Sequence, residues 1–320
     1  MDLSTKSGEK IGVLVMSYGT PVSMDEIESY YTHIRRGNHP TPEQLKDLTD
    51  RYKAIVGGVF PLRKNTDDQV KALQEALNEK MSEADISFKC FQGLKHAPPF
   101  IEDGITSMHA EGITQAIGIV LAPHYSIMSV GSYIKRAEAR AKELGITMSF
   151  VQSYHLHPSL IEALALRVEN KLALFVEAGA LRHDVKVLFS AHSLPARILE
   201  MGDPYQDQLL ETSSAVAEKV GIHNWQFTWQ SAGRTAEPWL GPDILDTLHD
   251  LSSKQVEDVL VAPVGFVSDH LEVLYDLDIE AKTVAKELDM RLMRIDSLNT
   301  DPLYMEVLSD TIIKLWEKEL

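Results

Sequence analysis

The sequence predicts an α/β protein of two related halves, each built on a parallel sheet flanked by helices. Three observations carry that prediction. Short runs rich in β-branched residues alternate along the chain with longer segments of helical period. The 320 residues exceed what one hydrophobic core usually serves, so two domains of roughly 150 residues are expected. The chain also echoes itself. Ile11-Gly-Val-Leu-Val-Met-Ser-Tyr-Gly-Thr-Pro21 has the form of Val185-Lys-Val-Leu-Phe-Ser-Ala-His-Ser-Leu-Pro195, with His192 roughly where Tyr18 stood. Later in each half comes an apolar run into Ala-Pro, Ile119-Val-Leu-Ala-Pro-His124 and Leu260-Val-Ala-Pro-Val264.

The elements follow in order. The apolar run 11–17 is the first strand, followed by helices over 25–36, 42–55 and 66–82. A strand at 86–91, a helix at 98–110, a strand at 116–122, a helix at 130–144 and a strand at 147–152 complete the first half. The second half alternates helix 158–177, strand 185–190, helix 207–220, strand 225–229, helix 242–252, strand 256–262, helix 271–288 and strand 290–294, with a last helix over 301–319. Asp25, Pro42, Thr66, Pro98, Pro158, Asp207, Pro242 and Asp301 open helices as caps or first-turn residues. The expected domains are 1–153 and 154–299, with the helix at about 300–320 packing back on the first. In open α/β sheets ligands bind beyond the carboxyl ends of the strands, so Tyr18, His124, His192 and His270 are expected to face one cleft between the halves.

Composition narrows the function. The apolar fraction of 44% and charged fraction of 24% are those of a folded enzyme. A net charge of −16 disfavours nucleic acid and anionic lipid as partners, so an anionic ligand must meet a local group of Arg or Lys. Cys90 is the one cysteine, which excludes an intramolecular disulfide and a Cys-ligated iron–sulfur cluster. No apolar stretch of secretory type lies in residues 1–10 and no run is long enough to span a bilayer, so a cytoplasmic protein without an integral membrane segment is expected. Neither a Gly-x-Gly-x-x-Gly nor a P-loop motif occurs, so no nucleotide is expected.

Two features carry chemistry. His192 ends a strand, where an imidazole can take protons at neutral pH or bind a divalent metal; the plainer alternative is a hydrogen-bonded histidine at a turn. Glu272, Asp276 and Glu280 recur every fourth residue, along one face of the predicted helix. Like charges at that spacing repel, so the row either costs helix stability as a solvated face or serves a cation or proton path. Arg35, Arg36, Arg51, Arg63, Lys64 and Lys95 beside His96 form a basic group that suits carboxylates, or balances surface charge.

Taken together, Leu14-Val-Met-Ser-Tyr-Gly-Thr-Pro21, Tyr30-Tyr-Thr-His-Ile-Arg-Arg-Gly37, Gly93-Leu-Lys-His96, Val120-Leu-Ala-Pro-His-Tyr-Ser126, Ser190-Ala-His-Ser-Leu-Pro195, Trp229-Gln-Ser231, Pro238-Trp-Leu-Gly-Pro242 and Pro263-Val-Gly-Phe-Val-Ser-Asp-His-Leu-Glu-Val-Leu-Tyr-Asp276 resemble the ferrochelatase family, most nearly its monofunctional Gram-positive members acting on coproporphyrin III. The resemblance implies two similar Rossmann-like, chelatase-type domains with a porphyrin cleft between them. It also implies insertion of Fe²⁺, as substrate metal, into a free-base porphyrin, either coproporphyrin III or protoporphyrin IX, with release of two protons in haem biosynthesis. A monomer with porphyrin and Fe²⁺ as its partners is expected. His192 and Glu272 become the metal-insertion pair, with neutral His192 accepting a pyrrole proton. Tyr18 becomes the residue axial to product iron, and Asp276 and Glu280 an outer acidic row continuing toward solvent. Arg35, Arg51, Tyr52 and Tyr133 line the porphyrin and its propionates, with Lys95, His96 and Trp239 as further contacts. The match departs at Gly57-Gly-Val-Phe-Pro61, where Phe60 replaces the family's usual Ser, and at Ser231-Ala-Gly-Arg234. The alternatives are a chelatase for another tetrapyrrole or metal such as cobalt, and a non-catalytic haem carrier that would have little use for the acidic row.

Overall fold

The computed structural model describes residues 9–56, 60–84, 86–233 and 235–319. Gly57, Gly58, Val59 and Arg234, where the two departures begin or end, lie outside them. Tertiary contacts divide the chain into two units, Met1–Tyr154 with Asn299–Leu320, and His155–Leu298.

In the first unit β1 (Glu9–Ser17) is central, with β2 (Ile86–Leu94) on one side, then β3 (Gln115–Val120) and β4 (Thr147–Phe150) on the other. All pairings are parallel; Val13 faces both Cys90 and Ile117. Val13, Leu14, Val15 and Met16 are fully buried, as a strand covered on both faces requires. Helices α1 (Ile27–Ile34), α2 (Pro42–Val56), α3 (Pro61–Lys80), α4 (Ile101–Ala110) and α5 (Val130–Leu144) make the connections. Ile101, Ile105 and Met108 of α4 and Tyr133, Ala137 and Ala141 of α5 share one core with Leu14 and Met16.

The second unit repeats the order: β6 (Trp225–Gln230), β5 (Lys186–His192), β7 (Asp258–Ala262), β8 (Arg291–Arg294), all parallel. Its helices are α6 (Pro158–Glu177), α7 (Tyr205–Val220), α8 (Ile244–Ser253), α9 (Leu271–Leu274) and α10 (Lys282–Glu287). Leu188, Val259 and Val261 of the sheet pack with Leu248, Val273 and Leu277. Gly145 and Gly221 end α5 and α7 with φ of +68° and +71°, the left-handed turn that glycine adopts without a Cβ clash. The last helix, α11 (Pro302–Glu319), belongs to the first unit: Tyr304 Oη meets Tyr154 Oη at 3.0 Å and Trp316 stacks edge-on against Phe88.

Some helix starts differ from the sequence prediction. The fourth helix starts at Ile101 rather than 98, because Asp103 accepts from Phe100 N at 2.7 Å. The eighth starts at Ile244, because Pro242 O is taken by Trp229 N at 2.9 Å and Asp243 caps Leu245 N at 2.8 Å. The largest correction concerns the helix expected over 271–288. It is interrupted by a π-helical segment, Asp276–Ala281, in which Glu280 N donates to Tyr275 O, five residues back, at 2.9 Å.

Candidate functional site

In the second unit, β5 delivers His192 and the segment after β7 delivers His270 and Glu272. His192 Nδ1 lies against Ser193 O, and His270 Nδ1 lies 2.8 Å from Ser268 O. A carbonyl only accepts, so each Nδ1 carries a proton. Both Nε2 atoms point at one carboxylate: His192 Nε2 is 3.4 Å from Glu272 Oε1, and His270 Nε2 is 3.2 Å from Oε2. Glu272 is anchored through its backbone, since Gln230 Nε2 donates to Glu272 O at 2.8 Å while Gln230 Oε1 accepts from Ser190 Oγ at 2.9 Å. Tyr205 Oη holds His192 O at 3.1 Å.

Charge then fixes where the proton sits. Burial alone would lower the His192 pKa, but the Glu272 charge and hydrogen bond, the Ser193 carbonyl and Asp276 overcome it and raise it to about 9. Glu272 moves the other way: burial opposes ionisation, and the two histidines hold its carboxyl well below the usual range. Without a metal, His192 therefore favours its protonated form; the neutral His192 expected from sequence is the form it needs to accept a proton. At neutral pH the pair rests as imidazolium and carboxylate, titrating as a unit.

The π segment bears on the acidic row, whose residues recur every fourth position. Residues four apart advance about 40° round an α-helix. A turn closed by an i→i+5 bond holds more than four residues, so the drift there has the opposite sign. By that geometry the π segment over 276–281 counters the drift accumulated between Glu272 and Asp276. Next to them in the chain, about 100° round the helix, Val273, Leu277 and Ala281 are all fully buried. Asp276 is only 6% exposed and accepts from Ser231 Oγ, whose backbone stands at φ +60°. It is neither part of a solvated face nor on a path that simply becomes more exposed, as the sequence had suggested. Trp239 seats its ring over Gly233, where an added Cβ would come within 2.3 Å, and lies 6.4 Å from the His192 ring.

In the first unit the loops after β1 and β2 meet. Lys95 N donates to Ser17 O at 2.9 Å and His96 N to Tyr18 O at 3.0 Å, which brings the Tyr18 and His96 rings to 4.6 Å. Lys95 Nζ donates to Ser132 Oγ at 2.7 Å and lies 4.8 Å above the Tyr133 ring. Arg136 grips Glu102 with two bonds of 2.8 and 2.7 Å and donates to Lys95 O. Burial, reinforced by Lys95, His33 and Arg136, pushes His96 down to about 3; burial and neighbouring arginines lower Lys95 to about 8. Tyr18, Lys95, His96 and Tyr133 thus come together, joined by His33, whose Nδ1 is 3.1 Å from that of His96, and by Arg136. Arg35 and Arg51 have local contacts: Arg35 with Asn38 O and the Tyr31 ring, Arg51 Nε with Asp47 at 3.3 Å. Tyr52, Phe60, Tyr133 and His124 are buried, the first two ring to ring at 4.9 Å.

The sequence reading placed His270 at the cleft without a chemical role and assigned none to Ser231, Gln230 or Arg136. The Asp-His-Leu-Glu order, with His270 two residues before Glu272, was the signal for its link to that carboxylate. Among the described residues no group of three or more His, Cys, Asp or Glu side chains converges to hold a metal ion. Burial pushes the Cys90 thiol up to about 12, so it offers no thiolate.

The ferrochelatase family model matches residues 10–315. The chain is similar to the coproporphyrin III ferrochelatase of Geobacillus kaustophilus (strain HTA426), 46% identical over 310 residues that cover 96% of both chains. It is equally similar to that of Bacillus subtilis (strain 168), at 46% over 310 residues, covering 96% of this chain and 98% of the relative. Among solved structures, the sirohydrochlorin chelatase SirB of Bacillus subtilis subspecies spizizenii in complex with cobalt shares the fold. Its TM-score is 0.55 at 10% identity, covering 97% of this chain and 96% of that one.

Proposed function

The chain belongs to the ferrochelatase family, and on that premise we propose that it inserts Fe²⁺ into coproporphyrin III in haem biosynthesis. It is a metal chelatase of the lyase class, with porphyrin and Fe²⁺ as substrates. The observation that carries the proposal at the level of chemistry is the His192–Glu272 pair with both oxygens of one carboxylate aimed at imidazole Nε2 atoms.

The reaction replaces two pyrrole N–H protons by one Fe²⁺, so a site must shed metal-bound water and accept two protons. In this reading Glu272 meets the incoming dication, whose charge drives the His192 Nε2 proton off to solvent by way of Asp276 and Glu280 and leaves Nε2 free. His192 then takes a pyrrole proton, its Nδ1 held by Ser193 O throughout. His270, oriented the same way by Ser268 O, supplies a second Nε2 beside the same carboxylate. Asp276 and Glu280 carry cations in or protons out. The Lys95 and Arg136 group of the first unit suits the carboxylates of the porphyrin, as do Arg35 and Arg51. Tyr18, 42% exposed, serves as the axial residue to product iron, and Trp239 as a wall beside His192.

The same reading makes the protein a cytoplasmic monomer that uses no nucleotide and no iron–sulfur cluster. It is supported by the single cysteine and by the finding that no described helix is long and apolar enough to cross a membrane. The deciding experiment is anaerobic turnover of free-base coproporphyrin III with Fe²⁺, followed by absorbance. Metallated product is expected; tight haem binding without turnover would instead make the protein a carrier.

A further inference from the structure

Arg294 stands at the end of β8, with its side chain 12% exposed, and its guanidinium is occupied almost completely. Nε and Nη2 donate to Asp278 Oδ2 at 3.0 and 2.8 Å, Nη2 also to Asp269 Oδ1 at 3.1 Å, and Nη1 to Ile295 O at 2.9 Å. Each carboxylate has a second partner. Ser297 Oγ donates to Asp269 Oδ1 at 2.9 Å, and Lys282 Nζ to Asp278 Oδ1 at 2.7 Å. Asp269 lies three residues before Glu272, and Asp278 lies inside the π segment, two residues after Asp276. One guanidinium therefore closes the chain into a loop at points on either side of both Glu272 and Asp276.

A π turn needs such a tie. It is rarer than an α turn, and Leu277 and Ala281 are packed in the core here beside the buried Asp276, while Asp278 and Glu280 are half-buried. If the segment relaxed to α bonding, Glu280 would swing round the axis and leave the line of Glu272 and Asp276. The planar fork of arginine, with separate N–H groups for two carboxylates and a carbonyl, matches this task; a lysine ammonium is a point charge on a flexible stem.

We propose that Arg294 is a positioning residue for metal delivery: by tying Asp269 to Asp278 it holds the π turn and so keeps Glu272 and its acidic row aligned. The role rests on the functional reading above, in which that row handles Fe²⁺. Because Arg294 acts through Glu272, its loss weakens the response to Fe²⁺ and leaves the porphyrin contacts alone.

The test is anaerobic initial rate against Fe²⁺ at saturating coproporphyrin III for wild type, Arg294→Lys and Asp278→Asn. Porphyrin Kd by fluorescence and melting temperature are measured beside it. Arg294→Lys is expected to raise the apparent KM for Fe²⁺ by at least about fivefold, Asp278→Asn by less, with porphyrin Kd within about twofold of wild type. A purely structural role would reduce the amount of active enzyme, lowering the rate equally at every Fe²⁺ concentration without moving KM. Asp278→Asn keeps the Arg294–Asp269 bond, so it reports even where the lysine variant folds poorly. An unchanged KM for Fe²⁺ in a turning-over wild type and its variants overturns the proposal alone. A wild type that inserts no iron overturns the functional reading and this role with it.

Discussion

The two units are built alike, yet the histidines at their strand ends titrate in opposite directions. Both sheets place their first strand second in order, flanked by the next two strands, and both send a histidine to the carboxyl end. His96 in the first unit is pushed down to about 3, with Lys95 and Arg136 beside it; His192 in the second is raised to about 9, with Glu272 and Asp276 beside it. Burial lowers both. The sign of the neighbouring charge decides the rest, so one scaffold yields a strand-end group suited to anions and another suited to protons and cations.

Replacing His192 tests that contrast most severely. His192→Ala is expected to lower metallation by more than tenfold while porphyrin affinity stays within about tenfold, roughly 1.4 kcal/mol, since the ring's carboxylates are met elsewhere. Turnover above a tenth of wild type removes His192 from the mechanism.

Converting the second histidine into a copy of the first is the next largest effect. In Glu272→Gln the largest of the influences that raise His192 is gone, while burial, the Ser193 carbonyl and Asp276 remain, so its pKa should fall well below about 9. NMR titration of the ring protons reads this, and a midpoint unchanged from wild type refutes the assignment. The stability consequence has a definite sign. A folded-state pKa raised above the unfolded value adds stability that is whole below about 6.5 and lost as pH rises through about 9. The depressed Glu272 pKa adds stability present above the ordinary carboxylate range and lost in acid. The melting-temperature gap between wild type and Glu272→Gln should therefore be widest between those limits and close above pH 9.

On the cationic side, Arg35→Ala or Arg51→Ala should weaken porphyrin binding by about 1–3 kcal/mol with no change in the Fe²⁺ response. Unchanged affinity in both variants would leave Lys95 and Arg136 to meet the carboxylates. The smallest effect is expected from Asp276→Asn with Glu280→Gln, a few-fold slower rate only at limiting Fe²⁺. Because Asp276 is buried and bonded to Ser231, the pair of changes should not raise the melting temperature, as relief of repulsion on a solvated face would. Superimposable rate curves would reduce the row to charge without function.

Much of this contrast was legible in the amino-acid order. The runs at Ile11 and Val185 read as strands because a parallel strand covered on both faces is apolar without alternation, and they are β1 and β5, each central in its sheet. His192 and Glu272 were marked by position, at a strand end and at the start of an acidic repeat. The repeat itself misled, since a spacing of four fits an α turn and a π turn equally well.

The sequence by itself determined the α/β class, the doubled plan and the strands, because these depend on local patterns of apolar residues, and its resemblance named His192 and Glu272 as a candidate pair. Only the tertiary structure decided the protonation of His192, the burial of Asp276, the shared use of Glu272 by His270, and the tie of Arg294 to Asp269 and Asp278. Each of these depends on groups far apart in the chain that folding brings to within a few ångströms. Charge interactions and desolvation follow distance in space, which no periodicity along the sequence records.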